Sequence, residues 1–390
     1  MLYRQTRGHP LFTCELLQGL REQGALVKDR EGRWTAGPAL DWATLPPRVE
    51  AVIGERIGRL APALRRALRV ASIEGEVFAA EVVARVQVAD EQQVVGWLSR
   101  GLDKRHHLVR AQGILRTGSQ RLSQYRFRHI LFQRYLYNSM DEVERTHLHE
   151  AVGNALETLH QTQPEATGAI PTIAPQLAWH FRQAGIAEKA IGYLYQAGQR
   201  SVYLSANEEG IAHLTAGLAM LRELPEPGDN AQRLERAQQE LALQLALGIA
   251  WRAAKGYGAE AERAYTRARE LCQLTGDAAR HCQVLGKVSI LHLVRAEYQK
   301  ACEFAKEALD LAQEANDPLH IALGHWYLGA VLFGLGEHLA ARVHLKQMID
   351  FYDPQQHRSL VLLRGSDPGL SALAYDACCL WCLGYPEQAL

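Results

Sequence analysis

Two thiols at the spacing Cys379-Leu380-Trp381-Cys382 could exchange a disulfide or fill two corners of a zinc site, because a CxxC brings both sulfurs to one point. Neither chemistry has its context. No second ligand pair accompanies the motif, no βαβ pattern surrounds it, and its helical, apolar periodicity reads as the packing of small residues. His147-Leu148-His149 and His106-His107 also lack partners at metal-ligand spacing. Gly286-Lys287 ends like a phosphate-binding loop, but Val288 stands where a hydroxyl is needed and His281 where the first glycine belongs. With no His-Glu-x-x-His, Gly-x-Ser-x-Gly or carboxylate pair, the residues predict no catalytic site, no metal centre and no enzyme in this chain.

One charge feature is different. Arg100, Lys104, Arg105, Arg110, Arg116, Arg121, Arg126 and Arg128 face a single acid in that stretch, Asp103. Phosphate contacts to DNA would need such a patch. A solvated wing, or one facing an acidic protein neighbour, is the favoured reading.

The elements that must position these residues fall into three zones. Over 1–75, Leu11, Cys14, Leu17 and Leu20 give a helix an apolar face, Gly24 ends it, and residues 25–35 read as a hairpin around a polar, glycine-bearing turn. Pro46-Pro47 and Pro62 open two more helices. Over 76–163 the order is short helices at Phe78 to Val86 and Val94 to Leu102, β-prone runs at His107 to Gln112 and Gln124 to Arg128, then a long helix from Ile130 broken near Asn138 to Asp141. Two helices followed by a two-stranded wing predict a winged helix.

After a Pro/Gly linker at 163–171, the zone 172–390 is helical and repetitive. Leu328, Gly329, Leu332, Ala341 and Leu345 match the tetratricopeptide pattern, in which small residues let two helices of a hairpin approach. Leu177, Ala178, Phe181, Ala190, Leu194 and Ala197 repeat it, as do Ala301, Ala305 and Ala308, and then Ala377, Leu380 and Ala389. The alanines at 190, 301, 341 and 389 step by 111, 40 and 48 residues, the first step covering three units. An insert from Asp350 to Gly369 adds to the drift, and both chain ends read as cut. The predicted fold class is mainly α, a helical bundle and winged helix followed by a tetratricopeptide-like α-solenoid.

Composition bounds the function classes. The 390 residues are 47% hydrophobic and 22% charged, with 43 basic and 43 acidic side chains, so no global field draws the chain to nucleic acid or an anionic membrane. The start has no signal-peptide core, and no apolar run reaches the ~18 residues that span a bilayer. Seven cysteines, an odd number set mostly in helical sequence, predict reduced, packed thiols and a cytoplasmic location.

Five stretches resemble the large bacterial signal-transduction ATPases of the STAND class, in particular members that carry tetratricopeptide repeats and often a nucleotidyl cyclase domain. They are Thr6 to Phe12, Tyr125 to Leu131, Leu204 to Glu209, Tyr352 to His357 and Leu383 to Leu390. The resemblance implies that residues 1–75 are the helical lid of an AAA-type ATPase, with Gly8, His9 and Pro10 forming a turn whose proline meets the adenine or ribose of bound nucleotide. It also implies that His129 lies near the terminal phosphate in the inactive state. Without the resemblance, Pro10 reads as a helix-starting proline and His129 as a partly buried histidine at a helix start.

The Walker A lysine and Walker B acid have no counterpart, so ATP or ADP would belong to a full-length parent, and an amino-terminal ATPase core is an implied partner. The expected function is a regulatory and sensor portion, its repeat groove taking a protein or ligand while lid and winged helix control an ATP/ADP switch. The alternatives are a DNA-binding transcriptional regulator using the basic wing, or a free-standing tetratricopeptide scaffold.

Overall fold

The computed structural model describes residues 10–22, 24–29, 31–37, 49–117, 120–161, 173–355 and 367–390. It divides into two compact units, Met1–Pro164 with Gln183–Gly185, and Glu165–Arg182 with Ile186–Leu390.

In the first unit, α1 (Pro10–Glu22) leads into a hairpin of β1 (Leu26–Lys28) and β2 (Trp34–Ala36), registered Leu26 to Ala36 and Lys28 to Trp34. Its small core gathers Leu16, Leu20, Ala25 and Val52, the last from α2 (Val49–Gly58). Leu16 and Leu20, one helical turn apart, are the buried pair; Cys14, expected on that face, is exposed, because a three-residue step drifts around a helix of 3.6 residues per turn. Pro46-Pro47 lies outside the described residues.

A helix-and-sheet arrangement follows, built from α3 (Pro62–Glu74), β3 (Val77–Ala79), α4 (Ala80–Gln87) and α5 (Glu91–Gly96). A π-type helical run, Trp97–Arg105, continues α5. Next come β4 (Val109–Thr117) and β5 (Gln120–Phe127), then α6 (Ile130–Asn138) and α7 (Glu142–Gln161). The antiparallel sheet has the order β3-β5-β4. Phe78, expected to open a helix, sits instead in β3 opposite Tyr125, where strand pairing outweighs local propensity. The two long strands also outrun their predicted spans, since Gly113 at φ +143° is absorbed in a bulge rather than ending β4. Phe78, Tyr125 and Phe127 pack their rings together beneath the sheet.

The second unit is a mainly α, tetratricopeptide-like stack of helix hairpins. Its helices are α8 (Ala174–Gln183), α9 (Ala187–Tyr203), α10 (Asn207–Glu223), α11 (Asn230–Lys255), α12 (Ala259–Thr275), α13 (Ala278–Val294), α14 (Tyr298–Glu314), α15 (Pro318–Gly334), α16 (His338–Phe351), α17 (Pro368–Cys382) and α18 (Pro386–Ala389). The core is broken into successive local clusters, as expected when each hairpin touches only its neighbours. Many turns share one device: a residue with positive φ (Ser205, Ala296, Asn316, Gly336, Gly384), followed by an N–H that bonds back to the helix, as Glu297 does to the His292 carbonyl at 2.9 Å and Glu337 to Leu332 at 2.9 Å.

Small residues explain the hairpin contacts. A Cβ on Gly329 would lie 2.8 Å from Leu345 and 3.2 Å from the Ala341 carbonyl, so α15 and α16 meet backbone to side chain there. Gly198 stands in the same relation to Leu214, at 2.5 Å, with Gly210 twelve residues on, as Ala341 is from Gly329. Helix α9 therefore serves twice, as the second helix of a hairpin with α8 through Ala190 and as the first helix of a hairpin with α10 through Gly198. The 111-residue step resolves into Gly210, Ala261 and Ala301, each at the start of a helix.

Candidate functional site

Of the residues expected to meet nucleotide, Gly8 and His9 lie outside the described residues. Pro10 is the exposed first residue of α1, a position that needs no donor. His129 is the residue before α6 in extended conformation, and its Nδ1 accepts the Leu131 N–H at 3.2 Å, so that one ring nitrogen caps the helix. The local geometry gives both residues helix-starting roles.

The other chemical candidates resolve differently. Lys287 is buried in the middle of α13, and a Cβ on Gly286 would collide with the Tyr327 ring, so this Gly-Lys pair belongs to helix packing. All seven cysteines are free. Cys272, Cys282 and Cys379 are buried, and burial pushes the Cys379 thiol up to about 11, far from a reactive thiolate. Cys14, Cys378 and Cys382 are exposed, which corrects the expectation of packed thiols at these three positions; Cys378 and Cys382 lie about one turn apart on α17. Among the described residues no group of three or more His, Cys, Asp and Glu could hold a metal, and no helix is long and apolar enough to cross a membrane.

On the repeat unit, a polar and aromatic cluster forms where α12, α13 and α14 meet. His292 stacks on Phe304 with ring centroids 5.4 Å apart, and the Arg269 guanidinium lies 5.1 Å from the same ring on α14. Arg295 reaches Glu262 at 2.8 Å, while Glu297 accepts from Lys300 at 2.9 Å and pairs with His292 at 3.0 Å. Lys300 and His292 together hold the Glu297 carboxyl below its ordinary range. A recess of about 70 Å³ opens among these groups, large enough for water but not for a cofactor. A wider one, about 320 Å³, lies at the α10–α11 connection, rimmed by Glu188, Glu226 and Glu235 above Pro225 and Pro227. Arg236 on its wall is spent on the Pro225 and Leu221 carbonyls at 2.9 and 2.6 Å. Aromatic and ionic groups spread over successive hairpins suit contact with another macromolecule better than chemistry on a small one.

In the first unit, the basic stretch divides into two sets. Arg126 pairs with Glu76 at 2.6 Å, and Arg128 with Asp103 at 2.8 Å. Burial raises the Asp103 carboxyl, but the Arg128 guanidinium and the Ala111 N–H outweigh it and the net shift is downward. Arg110, Arg116 and Arg121 are exposed and have no such partner among the described residues. Sequence counting gave the charge of this stretch but could not divide it, because pairing depends on β5 lying beside β3.

A third feature had no sequence signal. Glu74, at the end of α3, accepts the Ala79 N–H at 3.1 Å through Oε1, while Oε2 is closed off from solvent without a partner. Buried Glu81 is nearby and takes the Ser123 N–H on both oxygens, at 3.0 and 2.8 Å. Burial, with the Glu81 charge adding to it, overcomes the Ala79 hydrogen bond and pushes the Glu74 carboxyl up to about 8.

No protein-family profile matches the chain. An uncharacterized protein of Rhizobium meliloti (strain 1021) is 27% identical over 267 residues, 67% of this chain and 24% of that protein. The chain thus spans about a quarter of that relative's length. Among solved structures, a signal transduction ATPase with numerous domains (STAND) carrying a tetratricopeptide repeat sensor, from Pyrococcus horikoshii, aligns over 100% of this chain and 61% of its own, at 14% identity and TM-score 0.38. The apo form of RapI aligns over 97% of this chain and 84% of its own, at 11% identity and TM-score 0.40. Similarity at this level leaves function to be argued from the residues.

Proposed function

We propose that the chain is the regulatory and sensor portion of a STAND-type signal-transduction ATPase working in the cytoplasm. In this reading the hairpin stack takes a protein partner, residues 1–75 are an ATPase lid, and the β3-β5-β4 sheet with α3 to α5 is a winged helix; lid and winged helix bias an ATP/ADP switch in the parent. The observation that carries it is the order of parts. A helical bundle with an inset hairpin, then helices on a three-stranded sheet, then stacked repeat hairpins follow one another along the chain, and the resembling motifs fall in the same order. The repeat unit supports the partner role, since stacked hairpins build an extended surface from side chains far apart in sequence. Pro10 and His129 are the proposed nucleotide-facing residues, with Gly8 and His9. Nucleotide chemistry would come from the parent's phosphate loop.

The test compares two purified chains, this one and the longer product read from in-frame DNA upstream of Met1. The longer chain is expected to bind ATP and this one to hydrolyse none. Turnover by this chain that disappears in Pro10→Ala would overturn the assignment, as would an upstream sequence with no Walker A.

A further inference from the structure

The β4–β5 ribbon carries charge in a way that folding does not explain. Its strands, 109–117 and 120–127, contain four arginines and no aspartate, glutamate or lysine. Among the described residues, Arg126 alone of the four has an ion-pair partner, Glu76. Arg116 stands directly opposite Arg121 in the register, and Arg110 directly opposite Arg126. Cross-strand partners have Cβ atoms about 5 Å apart, and like charges in that relation repel. An isolated sheet gains nothing from such a pair. Lys104 and Arg105, exposed just before β4, have another cause, since cations complement the end of the helical run they close. The unexplained groups are therefore Arg110, Arg116 and Arg121.

We propose that this ribbon binds the phosphate backbone of duplex nucleic acid. Arg121 and Arg126 are five residues apart on β5, so the register puts Arg116 and Arg121 on one face of the ribbon and Arg110, opposite Arg126, on the other; the guanidiniums are offered on both sides rather than gathered on one anion. A two-stranded ribbon set into a duplex groove has a phosphate backbone on each side, and guanidinium matches phosphate oxygens in paired hydrogen bonds. Ile114 and Leu115 stand 65% and 45% exposed between the arginines, and apolar side chains of this kind can press on sugars and base edges in a groove. An acidic protein face would have to place individual carboxylates opposite each arginine; a duplex meets the same spacing in many registers. The chain's zero net charge makes this a local effect of the ribbon. The inference stands apart from the sensor reading, because neither the repeat unit nor a nucleotide switch enters it.

The experiment is fluorescence anisotropy of a labelled mixed-sequence DNA duplex titrated with the full chain, from about 50 to 200 mM salt. Binding is expected at the low end and should weaken steeply with salt. The double variant Arg116→Ala/Arg121→Ala should lose about tenfold or more in affinity and flatten the log–log salt slope by about 2. Its melting temperature should be unchanged or raised, because the repelling pair is gone, so lost binding cannot be put down to unfolding. Absence of binding at low salt would overturn the proposal. So would an unaltered double variant, or polyglutamate competing as well as DNA, which would assign the ribbon to an acidic protein.

Discussion

The two units solve opposite problems. In the repeat unit, close contacts arise where a side chain is missing: Gly198 under Leu214, Gly286 under Tyr327, Gly329 under Leu345. In the amino-terminal unit, the unusual positions are charges: two carboxyls at the root of the sheet, two arginines tied to Glu76 and Asp103, and the ribbon arginines Arg110, Arg116 and Arg121, which have no ion-pair partner among the described residues. Steric contacts are insensitive to pH and salt, whereas electrostatic ones respond to both. The glycine contacts of the hairpin stack should therefore hold across pH and salt, while the charged positions of the helix-and-sheet unit respond to both.

The sharpest way to break the contrast is at Gly286. Valine there must displace the Tyr327 ring, which is 1% exposed and has nowhere to go, so Gly286→Val should destabilise the repeat unit by more than about 4 kcal/mol. Denaturant unfolding would show the loss, equal at pH 5 and pH 8. A loss that depended on pH would contradict the steric account.

Glu74→Gln tests the opposite unit. The folded carboxyl holds its proton up to about 8, against 4.5 for the free side chain, so the wild type is favoured below 4.5 and loses stability as pH rises toward and through 8. Glutamine keeps an acceptor for the Ala79 N–H and carries no charge. The variant should match the wild type near pH 4 and exceed it by about 3 kcal/mol at pH 7. A constant difference across pH would mean that Glu74 does not titrate on unfolding.

How much of this was legible follows from the same contrast. The hairpin stack could be read because small residues recur twelve apart, as in Gly329 and Ala341, and periodicity is visible without structure. The double use of α9 could not, since Gly198 acquires meaning only under Leu214. Three-residue β3 is too short to leave a pattern, so Phe78 reads as helical, and without β3 there is no telling that Glu76 meets Arg126. The Glu74–Glu81 pair left no trace at all, because a carboxylate's burial is decided by distant elements. Pro10 and His129 were legible as helix starts, a role short motifs share with many others.

Arg128 separates the tied cations from the free ones. Arg128→Ala leaves Asp103, 8% exposed, with only the Ala111 N–H at 3.4 Å, and should cost about 1 to 2 kcal/mol, tempered by the partly exposed guanidinium. Because the pair lowers the Asp103 carboxyl's affinity for protons, the wild type's advantage should be full at neutral pH and fade in acid. Chemical denaturation at pH 7 and pH 3 checks both parts. Equal losses at the two pH values would mean Arg128 acts through packing and its hydrogen bond to the Val109 carbonyl at 3.0 Å rather than through Asp103.

The smallest effect probes the turns that set the repeat. Ala296 holds φ +60° between α13 and α14, where the next hairpin has Gly336 at φ +82°. A Cβ in this left-handed conformation costs about 1 to 2 kcal/mol, while glycine's extra freedom in the unfolded chain takes back about 0.5 to 1. Ala296→Gly should therefore stabilise the repeat unit by about 0.5 kcal/mol, seen as a slightly raised melting temperature with no change in denaturant m-value. If the substitution destabilises instead, the Ala296 methyl must be making a contact that the turn depends on. The hairpins would then be fixed by side chains at their turns as well as by the glycines between their helices.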